Sequence, residues 1–239
     1  MKIVIQSVPS RAKFVEEILG KVPSASVHVD EKLSGVVPAF LDILRSNPDG
    51  CIILQDDVIV GDWFLEEACK AIIEGEHTSF CLPAHSWLRD AYDQGFSYVR
   101  SQHVLWGQAN YIPSWFALSF PKWLAKVTTT YADEIRDGLP IHLRMFDDSG
   151  VMMDDMASRV FLMQQLRWTH ITLPNLANHR YSKSVLGHGR RRGRLDIVSY
   201  LCGKQYLRPW DKTAITEFSK TKPMPRDSGG RIIFRRANT

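Results

Sequence analysis

Cysteine is sparse in this 239-residue chain and follows no pattern. The four residues Cys51, Cys69, Cys81 and Cys202 form no C-x-x-C pair and no His/Cys cluster at zinc-finger spacing. A disulfide scaffold and a zinc finger are thereby excluded. Cys51 and Cys81 lie in apolar runs that read as buried strands, so reduced core thiols and an intracellular, cytoplasmic location are expected. No apolar run approaches ~18 residues, and Met1-Lys2-Ile3-Val4-Ile5-Gln6 is too short for a signal peptide. Neither a membrane span nor a secretory leader is expected. Internal repeats and long low-complexity tracts are also missing, which sets aside repeat and disordered architectures.

What is present is ordinary for a globular protein: 44% hydrophobic and 23% charged residues, enough for a sizeable core. The net charge of +4 hides a division. Residues 1–179 carry 15 Lys and Arg against 22 Asp and Glu, a balance of −7. Residues 180–239 carry 15 against 4, a balance of +11. A basic segment behind an acidic body points to a polyanionic partner, nucleic acid first, because fixed cations displace counterions condensed on phosphates. A body over 1–187 and a basic extension over 188–239 are the expected units.

The first half alternates strand and helix signals. Lys2 to Val8 reads as a buried strand, and Arg11 to Leu19 as a helix with Ser10 as its N-cap. Ser26 to Asp30 follows as a short strand, and Val37 to Arg45 as a helix stopped by Asn47-Pro48-Asp49-Gly50. Cys51 to Leu54, Trp63 to Ile73 and Thr78 to Leu82 continue as strand, helix and strand. This rhythm predicts an α/β fold with parallel strands covered by helices. Residues 84–120 are irregular and rich in aromatics; helices are expected from Pro121 and over Asp155 to Leu166, a late strand over Trp168 to Leu173, and an extended tail over 203–239.

Three segments have residues suited to chemistry. Gln55-Asp56-Asp57 follows an apolar strand, at the carboxyl end where open α/β sheets bind ligands. Adjacent carboxylates repel, and a divalent cation relieves that repulsion while bridging to phosphates. Asp147, Asp148, Asp154 and Asp155 form an acidic run whose last two members open a helix. They suit either the positive helix terminus or a general base. His179 lies just past the late strand, placed for metal ligation or for a structural hydrogen bond.

Taken in this order, the segments resemble the sugar-nucleotide-dependent glycosyltransferases of the GT-A fold, over roughly residues 1–187. The resemblance implies a GT-A-like mixed sheet with a Rossmann-like N-terminal half. It places the donor nucleotide on the loop Ser7-Val8-Pro9-Ser10-Arg11, with Asp30 near the base or ribose and Asp56 near the ribose or sugar. Gln55 stands where the family pattern has an acid. Asp57 and His179 would hold Mn²⁺ or Mg²⁺, and Asp155, with Asp154, would supply the base of an inverting transfer. Lys183, Ser184, Arg190, Arg191, Arg192 and Arg194 follow the implied metal ligand closely. With the aromatics of 84–120 they suit a phosphate backbone and an extruded base. The layout resembles the phage-type transferases that glycosylate 5-hydroxymethylpyrimidines in DNA, a group related to the base J glucosyltransferase. A nucleoside diphosphate sugar (UDP-glucose as the commonest) and hydroxymethylated DNA are the implied partners. A polysaccharide or lipopolysaccharide transferase and a non-catalytic nucleic-acid-binding module are the competing readings.

The charge division carries its own test. Replacing Arg190, Arg191, Arg192 and Arg194 together with Ala should weaken DNA binding and flatten its log–log salt slope by about three to four. Equal affinity of parent and variant at every salt concentration would exclude this segment from DNA binding.

Overall fold

A computed structural model describes residues 1–81, 86–102, 107–130, 145, 152–180, 202–218, 225–226, 228–229, 232–233 and 237. The fold is α/β. Strands β1 (Ile3–Ser7), β2 (Ser26–Val29) and β3 (Gly50–Gln55) alternate with helices α1 (Ala12–Leu19) and α2 (Val36–Ser46). Then come β4 (Val58–Val60), α3 (Phe64–Ala71), β5 (His77–Ser79), α4 (Ser86–Asp93), β6 (Tyr98–Ser101) and β7 (Ala109–Pro113). The chain continues through α5 (Ser114–Thr130), α6 (Asp154–Gln164), β8 (Thr169–Thr172), β9 (Ala177–His179) and β10 (Ile215–Glu217).

Eight strands form one mixed sheet in the order β10-β6-β8-β5-β7-β3-β1-β2, and β4 pairs separately with β9. β1 pairs in parallel with both β2 and β3, as the strand–helix rhythm of the first half predicts. β5 runs in the same direction as β3, but β7 lies between them, antiparallel to both. The apolar strand rhythm therefore fixes direction without fixing adjacency.

Alternation along the strands divides the core. Ile3, Ile5, Ile52 and Leu54 face α1 and α3, where Val15, Ile18, Phe64 and Ala68 are buried with them. Val4, Cys51 and Ile53 face α2, α5 and α6. There the rings of Phe40, Phe116, Phe120 and Phe161 meet edge to face or stacked, with centroids 5.0–6.4 Å apart. Phe161 belongs to α6, so this aromatic cluster anchors the helix that begins at Asp154.

Several details depart from the sequence expectations. α1 is capped by Arg11 and not Ser10, with no side-chain cap bond, because Pro9–Arg11 forms a 3-10 turn first. α5 begins at Ser114 and carries Pro121 inside it. Part of the segment expected as an extended tail is built into the sheet: β10 pairs in parallel with β6, and the Trp210 indole donates to Glu67 at 2.9 Å. Its three residues are too few to show a period in sequence.

Gly50 gives a test of the β3–β7 contact. Its φ is +91°, and an added Cβ would lie 2.6 Å from the Ile112 carbonyl oxygen. Gly75, at φ +75°, has open space around the same position. Gly50→Ala is expected to cost at least about 2 kcal/mol. In thermal melts it should lower Tm by more than Gly75→Ala does, the excess measuring the clash with β7.

Candidate functional site

The carboxyl ends of β1, β2 and β3 open onto one edge of the sheet, because the three strands are parallel and in register. Ser7, Asp30 and Gln55-Asp56-Asp57 sit there. The Asp56 amide donates to the Gln6 carbonyl at 3.1 Å, which holds the carboxylate loop against the end of β1. β9 pairs antiparallel with β4 and brings His179 opposite Val58, beside that loop.

Asp56 turns inward. Its Oδ2 accepts from the Ser7 hydroxyl at 2.8 Å and from the Val8 amide at 3.3 Å. The Arg11 guanidinium lies 3.8 Å from its Oδ1. Burial raises its pKa above the ordinary carboxylate value, more than Ser7, Arg11 and Val8 lower it, with Asp57 adding repulsion. Pro9 opens the turn that presents Arg11. Asp30 is engaged by its own loop: Oδ1 accepts from the Ser34 amide and hydroxyl at 3.0 and 2.9 Å, and Oδ2 from the Gly35 amide at 3.0 Å. Burial opposes ionisation there, yet these bonds prevail and its pKa is lowered. Both acids shape the loops around the edge.

Asp57 turns the other way. Its Oδ2 lies 3.3 Å from His179 Nε2, and its Oδ1 is buried without a hydrogen-bond partner. Adjacent ligands on an octahedral ion with ~2.1 Å bonds stand about 3 Å apart, so this pair fits two positions on Mg²⁺ or Mn²⁺. Among the described residues no group of three His, Cys, Asp or Glu side chains comes together for a metal. An ion held here would keep its other positions for water and ligand oxygens.

The second acidic pair meets Gln55, the residue just before the first pair. Gln55 Nε2 donates to Asp154 Oδ2 at 3.1 Å, across 99 residues of sequence. Asp154 Oδ1 accepts the Asp155 amide at 2.9 Å in the first turn of α6, whose N-cap is Met153. Gly107 closes over the pair: an added Cβ would lie 3.1 Å from Gln55 Nε2 and 3.2 Å from each Asp154 oxygen. Beneath Asp154 a cavity of about 10 Å³, room for one water, is lined by Ile53, His77, Asn110 and Ser158 among others. Burial, then the Asp155 charge, push the Asp154 carboxyl up to about 7. Asp155 itself stays half-buried, and Arg159, one turn along α6, feels its charge.

The edge thus gathers Ser7, Val8, Arg11, Asp30, Gln55, Asp56, Asp57, His179, Asp154 and Asp155, all expected from sequence. Lys183, Ser184, Arg190, Arg191, Arg192 and Arg194 lie outside the described residues, as do Asp147 and Asp148. Sequence reasoning missed Gly107, whose only signal is a glycine amid aromatics, and it gave no role to Arg180. The Arg180 guanidinium lies over the Phe14 ring, 4.4 Å from its centroid, and pairs with Glu17. No protein-family model matches this chain, and no curated protein is similar to it at a significant level.

Burial of Asp154 makes a pH prediction. Its folded pKa lies above the unfolded value of 3.8, so the fold favours the protonated form. Stability then falls as pH rises from about 4 to about 7 and levels off above, by at most about 1.4 kcal/mol per pH unit. Asp154→Asn should gain on the parent across that window in thermal melts, while Gln55→Glu, which sets a second carboxylate against Asp154, should lose. A parallel pH profile for parent and Asp154→Asn would remove the buried-acid assignment.

Proposed function

We propose that this protein is a metal-dependent glycosyltransferase that moves a sugar from a nucleoside diphosphate sugar to a hydroxyl, with 5-hydroxymethylpyrimidine in DNA as the first acceptor. One observation carries the reading. The Gln55-Asp56-Asp57 loop, His179 and the Asp154-Asp155 pair, distant in sequence, converge on one strand edge, and the Gln55–Asp154 hydrogen bond joins them. The mixed sheet with its Rossmann-like half supports a GT-A-like arrangement.

In this reading Asp57 and His179 hold Mn²⁺ or Mg²⁺. When bound, the ion supplies charge stabilisation for the departing nucleoside diphosphate. Ser7, Val8 and Arg11 shape the loop that receives the nucleotide, with Asp56 fixing its form. Asp155 accepts the proton of the acceptor hydroxyl. Asp155 is part-buried, with Oδ1 accepting the Met156 amide at 2.7 Å, and it keeps more exposure than Asp154, which is 4% exposed and bonded to Gln55 and to the Asp155 amide. Arg159, one turn along α6, feels the charge of Asp155. A base on the far side of the sugar from the diphosphate gives inversion.

The DNA acceptor rests on the +11 balance of residues 180–239. It follows from charge and from the Arg190-Arg191-Arg192-Gly193-Arg194 run. The same charge would serve an anionic glycan or lipid acceptor, which the assay below separates.

The test is incubation with radiolabelled sugar nucleotides, Mn²⁺ or Mg²⁺, and hydroxymethylated DNA, with unmodified DNA and polysaccharide as parallel acceptors. Transfer to hydroxymethylated DNA alone is expected. Asp155→Asn should lower turnover by about 10²–10⁴-fold while calorimetry shows donor binding nearly unchanged. Asp57→Asn should shift the metal concentration needed for half-maximal donor binding upward. No transfer from any donor to any acceptor would overturn the reading; retention of most activity by Asp155→Asn would move the base elsewhere.

A further inference from the structure

We infer that Arg180, together with Arg11, forms an oxyanion site for the terminal phosphates of a nucleoside diphosphate, and that the Glu17 carboxylate occupies it when no ligand is bound. The identity of the ligand rests on the transferase reading above; the anion site itself rests on the geometry.

Arg180 follows His179, and its backbone amide donates to the Asp57 carbonyl at 2.6 Å. The residue is thus tied to the carboxylate loop before its side chain is considered. The side chain then crosses to α1. Its guanidinium lies over Phe14 at 4.4 Å, and the Arg11 guanidinium lies 5.2 Å from the centroid of the same ring. One aromatic ring therefore holds two cations, Arg11 with its guanidinium against Asp56 and Arg180 with its backbone tied to Asp57. Stacking fixes a guanidinium plane at low entropic cost, and the planar fork matches carboxylate and phosphate alike.

Arg11 is accounted for, since it lies against Asp56. Arg180 has a different kind of partner. Glu17 reaches it from the solvent side of α1, with a side chain 44% exposed against 21% for Arg180. An ion pair at that exposure is weakly held, so a phosphate carrying more charge can displace the carboxylate. The Arg180 Nε is buried and makes no hydrogen bond, which leaves a donor for a second oxygen. Glu17 in this position is a carboxylate standing where an oxyanion binds. Release of Glu17 leaves Arg180 uncompensated beside the loop.

A purely structural role, tying α1 to β9, predicts lost stability without ligand selectivity. Calorimetry with inorganic pyrophosphate, a nucleoside diphosphate and the matching monophosphate separates the two. The parent should bind pyrophosphate and the diphosphate. Arg180→Ala should weaken both by more than about tenfold, with the monophosphate changed less than about twofold. Arg180→Lys keeps the charge without the fork and should fall between; it replaces the Ala variant if that one melts early. Glu17→Gln, which leaves Arg180 in place, should tighten pyrophosphate binding about threefold or more at unchanged Tm. A parent that ignores pyrophosphate, or Arg180 variants that bind it like the parent, would overturn the site. An unchanged affinity in Glu17→Gln would overturn the occupancy by Glu17. Failure of the transferase reading shows separately, as absent sugar transfer by a protein that still binds pyrophosphate.

Discussion

The bond between the Gln55 amide and the buried Asp154 carboxylate is the constraint on which the edge depends. It fastens the end of β3 to the start of α6 and so fixes the distance between two acidic pairs that the chain places far apart. A buried carboxylate is costly unless its oxygens are satisfied. Here one oxygen takes the Gln55 amide and the other takes the Asp155 amide in the first turn of α6. The same bond explains why position 55 is glutamine. A carboxylate there would face Asp154 at about the same distance and raise both acids' resistance to ionisation. An amide of nearly the same shape donates instead. Gly107 completes the arrangement, because any side chain at that position would press on both partners.

The rest of the fold makes that bond possible by holding its two ends rigid. β3 is central, paired on one side with β1 and on the other with β7, and its residues 51–54 are buried on both faces. α6 has a weaker claim to its place by periodicity, yet Phe161 locks it into the aromatic cluster with Phe40, Phe116 and Phe120. The cluster lies on the α2–α5–α6 face, so α6 approaches the sheet edge from the side opposite α1. Asp154 and Asp155 therefore reach the carboxylate loop from one face while Arg11, Phe14 and Arg180 reach it from the other. The placement of Asp154 and Asp155 on one face of the sheet and of Arg11, Phe14 and Arg180 on the other follows from which helix packs on which face.

Much of this was legible in sequence, and the reason differs from residue to residue. β1, β3, α2 and α3 announce themselves because long apolar stretches with clean breaks leave little choice: Ile3-Val4-Ile5 and Ile52-Ile53-Leu54 can only be buried. β4, β9 and β10 have three residues each, too few to show a period. β7 was hidden for another reason. Its Asn110 and Tyr111 read as irregular, and its insertion between β3 and β5 depends on partners more than thirty residues away. The acidic pairs were legible as candidates, since paired acids after an apolar strand or before a helix are uncommon enough to stand out. The contacts that give them meaning were not. Nothing local to Gln55 points to Asp154, and nothing local to Arg180 points to Phe14 and Glu17. Such pairings are set by packing, which sequence period alone does not encode.

The two acidic pairs share a division of labour that adjacency itself imposes. Neighbouring carboxylates in an extended segment or at a helix start cannot point the same way without mutual repulsion, so one must turn toward the protein. In Asp56-Asp57 the first turns inward to Ser7, Val8 and Arg11, and the second stays at the surface with His179. In Asp154-Asp155 the first turns inward to Gln55, and the second remains half-buried at the opening. In each pair the inward acid has its pKa raised by burial and, further, by its neighbour's charge. The inward members are therefore architectural, and their loss should act through the position of their partners. The outward members, Asp57 and Asp155, keep contacts of their own, to His179 and to the Met156 amide. Two acids in sequence thus give one inward support and one outward carboxylate, twice over.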